Sequence, residues 1–299
     1  MYHYVRKFNK ELPFFNFLHE RDFYKQFNFL KKRYSFFKNG IEDLKKSNKI
    51  LLSFDDGLKE HLKVGKFLKK NKIKGIFFIS SYPLIKKDFL TIHKLHLIFG
   101  KYNSNFITDL LKKFKIYYNE KNLFKVFKKQ KKFLKKEKNI ENQKKIKLKT
   151  ILNNIAQENP KIINKLFNEC FSKVKQKKIF KNFYMSSKDI KKLNEYGMLI
   201  GAHGNEHLVL SQLKNKDLVK DLNLSIISVK RIIRKNITLF CYPYGGSEVF
   251  NEKVVKLLKE KGIKYAFNVE SKNYFKNSDN FAIPRFDCNE FKHGELFSK

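Results

Sequence analysis

Cysteine is scarce: three in 299 residues (Cys170, Cys241, Cys288), an odd number with no CxxC pair. That excludes a disulfide scaffold and fits a reducing compartment. Long apolar runs are missing, and none approaches the ~18 residues of a membrane span. Residues 1–10 hold no apolar leader core and carry Arg6, Lys7 and Lys10, so no secretory signal is read and a cytoplasmic location is expected. No GxSxG elbow, Walker A loop or GxGxxG turn occurs. Serine-nucleophile, nucleotide-hydrolase and dinucleotide readings lose support accordingly. No internal repeat recurs at a fixed period.

Negative charge is also short, with 28 acidic residues against 66 basic ones and a formal net charge of +38. One reading is a partner rich in phosphate or acidic lipid. Only six of the basic residues are arginine, the better residue for bidentate phosphate recognition. Lysine is abundant together with Phe, Asn and Ile, the set that AT-rich coding favours whatever a protein does. No nucleic-acid reader motif accompanies the charge, and the basic residues are spread along the chain, so nucleic acid is not expected as a partner.

What is present is enough for a sizeable core. Hydrophobic residues make up 42% and aromatic residues 15%, which excludes global disorder. Residues 1–5 (MYHYV) read as a short strand, and 12–46 alternate aromatic and basic residues at helix-like spacing. KILLSF (49–54) and GIFFIS (75–80) read as buried strands around an amphipathic helix at 59–72, a parallel βαβ unit. His61 in that helix is expected at the surface. Between 112 and 149 there are 16 lysines against three glutamates. That run, weakening toward 182, reads as a helical insertion with a basic face. The βα rhythm then returns: a helix at 187–196 capped by Ser186 or Ser187 and stopped by Gly197, a strand at 198–202, a helix at 215–234, a strand at 237–243, a helix at 248–261, and strands at 264–269 and 281–286.

Three polar clusters each follow a predicted strand: Asp55-Asp56-Gly57, His203-Gly204-Asn205-Glu206-His207, and Tyr244-Gly245-Gly246. Strands alternating with helices point to an α/β barrel or doubly wound sheet, and clusters at strand C-termini point to one shared site. A turn at Gly57 can bring both aspartates toward one cavity. His203 and His207, four apart, are expected on one side of a helical turn, a metal-chelating spacing. Two His and one Asp make three ligands with an open position, the catalytic arrangement for Zn²⁺. A carboxylate beside it could accept a proton from water. His93 and His96 read as ordinary, partly buried histidines.

SFDDG (53–57), HGNEH (203–207), FCYPYG (240–245) and PRF (284–286) together resemble the metal-dependent polysaccharide deacetylases with a NodB homology domain. The resemblance implies an α/β fold, a distorted (β/α) barrel of about seven strands, as one domain over 1–299 with a helical insertion at 90–182. It implies hydrolysis of an N-acetyl (or O-acetyl) group on an amino sugar of a surface polysaccharide or its lipid-linked or nucleotide-linked precursor. Carried over, Asp55 is the general base, and Asp56, His203 and His207 hold Zn²⁺ or another divalent ion such as Co²⁺ or Ni²⁺. Tyr244 offers its backbone N–H to the oxyanion. The family often has Arg where this chain has Cys241; Arg285 is nominated to orient the base in its place. The family's closing histidine strand is missing after Arg285. MYHYV resembles it, as in a circularly permuted member, which makes His3 the expected general acid. Peripheral contact of the basic insertion with an anionic membrane is a further expectation. The alternative is a barrel of this kind that has lost catalysis and serves as a glycan-binding or scaffolding module.

Overall fold

The computed structural model describes residues 1–38, 41, 49–117, 131, 134–135, 137–275 and 278–294. They divide into two compact units. One holds Met1–Lys7, Phe17–Asp88 and the chain from Phe180; the other holds Phe8–Asn16 and Phe89–Ile179.

In the first unit the strands are β1 (Val5–Arg6), β2 (Leu18–His19), β3 (Ser35–Phe36), β4 (Lys49–Ile50), β5 (Leu52–Phe54), β6 (Gly75–Ile79), β7 (Leu199–Ala202), β8 (Leu239–Cys241) and β9 (Tyr265–Phe267). β1 pairs with β2 and β3 with β4, while β5 to β9 form one sheet in sequence order. Every pairing is parallel. All five residues of β6 are buried, the unbroken apolar run of a parallel strand covered on both faces. Phe54 stacks on Phe77 at 4.8 Å. Gly201 is required by close approach, since a Cβ there would meet the Phe78 ring at 2.5 Å.

Hydrogen bonding continues past both edges of this sheet. Beyond β9, Ile283 bridges to Phe267 and accepts the Asn268 N–H at 2.9 Å. Beyond β5, Tyr2 bridges to Phe54, and the Asp55 N–H donates to the Tyr2 carbonyl at 3.0 Å. The Met1 ammonium donates to the Phe286 carbonyl at 2.6 Å, and the Cys288 N–H to the Met1 carbonyl at 3.1 Å. Seven segments are thus linked in a ring, the curled parallel sheet of an α/β barrel. The strand ends, where the chemistry of such folds gathers, all open on the same side.

Three expectations change. The strand expected over 281–286 reduces to a bridge at Ile283, since Pro284 has no N–H to give a ladder. Among the described residues of 12–46 the helix-like spacing yields one α-helix, Glu20–Lys31, set between β2 and β3. His61 is fully buried rather than exposed; it shares the inner face of the helix His61–Lys70 with Val64, Gly65 and Leu68. Its Nε2–H donates to the His3 carbonyl at 2.8 Å.

Burial pushes the His61 pKa down. Below the ordinary histidine value of about 6.5 the unfolded chain then binds a proton that the native state refuses. Stability is therefore expected to fall as pH drops below about 6.5, by up to about 1.4 kcal/mol per pH unit from this group. His61→Gln keeps a donor for His3 and does not titrate. Urea midpoints at pH 7.5 and 5.5 should differ less in that variant than in the wild type; an equal difference would count against the assignment.

The second unit is helical: Thr91–Lys101, Ser104–Lys113, Ile140–Glu158 and Pro160–Cys170, with Lys173–Lys181 leading out of it. Asn103 and Asn139 cap two of the helices through their side chains, and Pro160 opens a third, where its missing N–H costs nothing. Leu95, Ile98, Leu110, Leu152, Ile163 and Leu166 are buried in its core. His93 is buried and His96 partly so. Part of the basic run, at 118–130, 132–133 and 136, lies outside the described residues.

Candidate active site

The three clusters meet at the C-terminal ends of β5, β7 and β8. Each leaves its strand through backbone that ordinary residues avoid. Asp56 has φ 76°, His207 φ 57° and Tyr244 φ 64°, with Gly57, Gly204 and Gly245 also left-handed. Such conformations cost of order 1–3 kcal/mol each and persist where surrounding structure enforces them, often at functional sites. At Asp55-Asp56-Gly57 the turn sends the two carboxylates to different partners.

Asp56 faces the histidines. Its Oδ1 lies 3.3 Å from His203 Nε2 and 3.5 Å from His207 Nε2. The three residues are buried, and their donor atoms lie within 4.8 Å of one another. The other ring nitrogen of His203, Nδ1, donates to the Cys241 carbonyl at 2.8 Å. That bond fixes the tautomer with the Nε2 lone pair toward Asp56, as in metal-ligating histidines. Donors bound at about 2.0–2.2 Å around a tetrahedral ion stand roughly 3.3–3.5 Å apart, so the separations match. Two imidazoles and a carboxylate suit Zn²⁺ or a similar divalent transition ion.

A second grouping, Asp55 with His203 and Cys241, also lies within 4.8 Å, but its donors are engaged elsewhere. Arg285 grips Asp55 with two hydrogen bonds, Nη1 to Oδ1 at 2.8 Å and Nη2 to Oδ2 at 2.9 Å. Burial alone would raise the Asp55 pKa; the Arg285 guanidinium beside it outweighs that and holds the carboxyl well below the usual range. Burial pushes the Cys241 thiol up against the opposing pull of Arg285, and a protonated thiol is a poor ligand. The Asp56 set is the better fit.

Arg285 is itself held on all sides. Its Nε donates to the Asn268 carbonyl at 2.9 Å, Nη1 to Ser53 Oγ at 3.1 Å, and Nη2 to Cys241 Sγ at 2.9 Å. The structure thus brings Arg285 to Asp55 from the far side of the ring. Tyr244 is half-buried, its ring edge-on to His207 at 4.8 Å between centroids, and Gly245 next to it accepts the Val269 N–H. His3 follows the Tyr2 bridge to β5, and its carbonyl accepts the His61 Nε2–H.

Two expectations about this site need correction or addition. The pair His203/His207 does not sit on a helical turn; residues 203–209 are irregular. The rings converge because Gly204 and His207 reverse the backbone. The sequence reading also passed over Asp221, a buried carboxylate on the inner face of the helix Asn215–Ile233 beside Leu218, Leu222 and Ser225. It accepts the N–H groups of Asn205 at 2.9 Å and Glu206 at 3.0 Å. Burial nevertheless pushes its pKa up to about 6. A charged residue at an apolar helix position was the signal.

Residues 150–267 match a family described as polysaccharide deacetylase. The resemblance read from the motifs is borne out. The match takes in HGNEH and FCYPYG, and SFDDG lies outside it. The poly-beta-1,6-N-acetyl-D-glucosamine N-deacetylase of Staphylococcus aureus is 27% identical over 110 residues. That alignment covers 34% of this chain and 37% of the relative, so the chain spans little more than a third of the relative's length. Two solved structures share the fold. Streptococcus pyogenes deacetylase PplD, in complex with acetate, superposes with a TM-score of 0.56 at 11% identity, covering 95% of this chain and 88% of that one. IcaB from Ammonifex degensii gives 0.52 at 14% identity, covering the same two shares. The polysaccharide deacetylase fold is therefore the fold of this chain. Among the described residues no helix is long and apolar enough to cross a membrane.

Proposed function

We propose that this chain is a metal-dependent hydrolase that removes the N-acetyl group from an amino sugar of a surface polysaccharide or its precursor. The observation that carries the reading is the convergence of Asp56, His203 and His207 beside an Asp55 carboxylate clamped by Arg285. Zn²⁺ or a similar ion held by those three residues would polarise the acyl oxygen and acidify water there. Asp55 receives the proton of the attacking water, and Arg285 fixes both of its oxygens in direction. The Tyr244 N–H, aimed by its left-handed backbone, stabilises the developing oxyanion. His3 gives a proton to the leaving amine. The acetylated amino-sugar class is supported by the S. aureus relative's name and acetate by that of the S. pyogenes structure.

A non-catalytic binding module is motivated by the Cys241 departure and by the unusual position of the acid, His3, and the metal-ligating residues count against it. Arg285 on Asp55 supplies from another segment the cation that position lacks, which favours catalysis. Membrane contact rests on charge alone and is left out of the reading. The test is acetate release from N-acetylated amino-sugar oligomers, including β-1,6-linked N-acetylglucosamine, measured with metal content. Turnover together with about one divalent ion per chain is the expected result. A chain that binds no divalent metal would sink it.

A further inference from the structure

The loop that carries both histidines makes none of the helical hydrogen bonds its spacing suggested, so its polar backbone must be satisfied from outside. Two elements do so. From the helix Asn215–Ile233, Asp221 takes the Asn205 and Glu206 amides, one on each carboxylate oxygen. From the end of β6, Ser80 Oγ donates to the His203 carbonyl at 2.9 Å and Ser81 Oγ to Asn205 Oδ1 at 2.7 Å. The Ser81 and Tyr82 amides donate to the carbonyls of Gly204 at 3.3 Å and Asn205 at 3.0 Å. Ser80, Ser81, Asn205 and Asp221 are all buried. The loop is thereby pinned on both flanks while Gly204 and His207 hold left-handed turns.

We propose that Asp221 and Ser81 are positioning residues, a two-sided clamp that holds the 203–207 loop in its metal-ligating form. Neither touches the donor atoms. Asp221 anchors the amides just before His207, and Ser81 fixes the Asn205 side chain between the two ligands. A loop released on either flank must be reordered when the ion binds, and that cost appears as lost affinity. The inference rests on the metal reading given above. Residues that orient ligands from behind typically change metal affinity 10- to 100-fold when replaced.

The test is the affinity of chelator-stripped protein for Zn²⁺ by competition with a chromophoric chelator, and for Co²⁺ by its visible spectrum. Asp221→Asn, which keeps the shape and one acceptor, should bind Zn²⁺ 10- to 100-fold more weakly and show an altered Co²⁺ spectrum. Ser81→Ala should weaken binding in the same direction, and Ser81→Thr, which restores the hydroxyl, should recover it. If Asp221→Asn does not fold, the serine pair decides. Variants that melt at lower temperature yet bind both ions as the wild type does would overturn the clamp and leave the metal reading standing. A wild-type chain that binds neither ion would overturn both.

Discussion

Asp56→Asn is expected to purify without a bound divalent ion and to lose acetate release on the order of 1,000-fold or more. The magnitude follows from the several kcal/mol credited to a catalytic metal, each ~1.4 kcal/mol being tenfold. Asparagine is the informative replacement because position 56 lies at φ 76°. Asn tolerates the left-handed region, whereas Ala there adds a backbone penalty of roughly 1–2 kcal/mol that would confuse lost metal with lost fold. His203→Ala should give the same metal loss, since it removes both the Nε2 donor and the Nδ1 bond to the Cys241 carbonyl. The outcome also separates the two donor sets. If Asp56→Asn keeps its ion while Cys241→Ser loses it, the centre is Asp55, His203 and Cys241, and the assignment of base and ligand must be exchanged.

The parts legible in the sequence were those that local pattern dictates. β6 is an apolar run with no alternation, and a strand covered on both faces needs nothing more. Asp55, Asp56, His203 and His207 could be placed in one site because each follows a strand and parallel strands end together. Less legible was how the residues reach one another. Spacing of four suggested a helical turn for His203 and His207, but Gly204 and its left-handed backbone make a clamped loop instead. Arg285 stands 230 residues from Asp55, and only ring closure through Met1, Phe286 and Ile283 makes them neighbours. His61 and Asp221 were misplaced or missed for one reason. Each lies on the buried face of its helix, where the apolar residues at helical spacing already marked the inside, and polarity was given more weight than position.

Arg285 and Asp55 form a pair whose two single substitutions should each be worse than the double. The guanidinium and carboxylate are both buried, so removing either leaves an uncompensated charge, which typically costs about 3–5 kcal/mol. Arg285→Met is expected to lose about that much in urea denaturation, and Arg285→Met with Asp55→Asn to recover a large part of it. Activity should divide differently. Asp55→Asn removes the proton acceptor and should lower turnover about 100- to 10,000-fold, the usual worth of a general base, with metal content unchanged because Asp56 and the histidines remain. Arg285→Lys keeps a charge but cannot engage both carboxylate oxygens at once. It should fold, hold metal, and lose kcat with little change in KM, because the group it misdirects acts after binding. An Arg285→Lys chain with wild-type kcat would mean that the ion pair serves stability alone, and that Asp55 is aimed by Cys241 and the backbone around it.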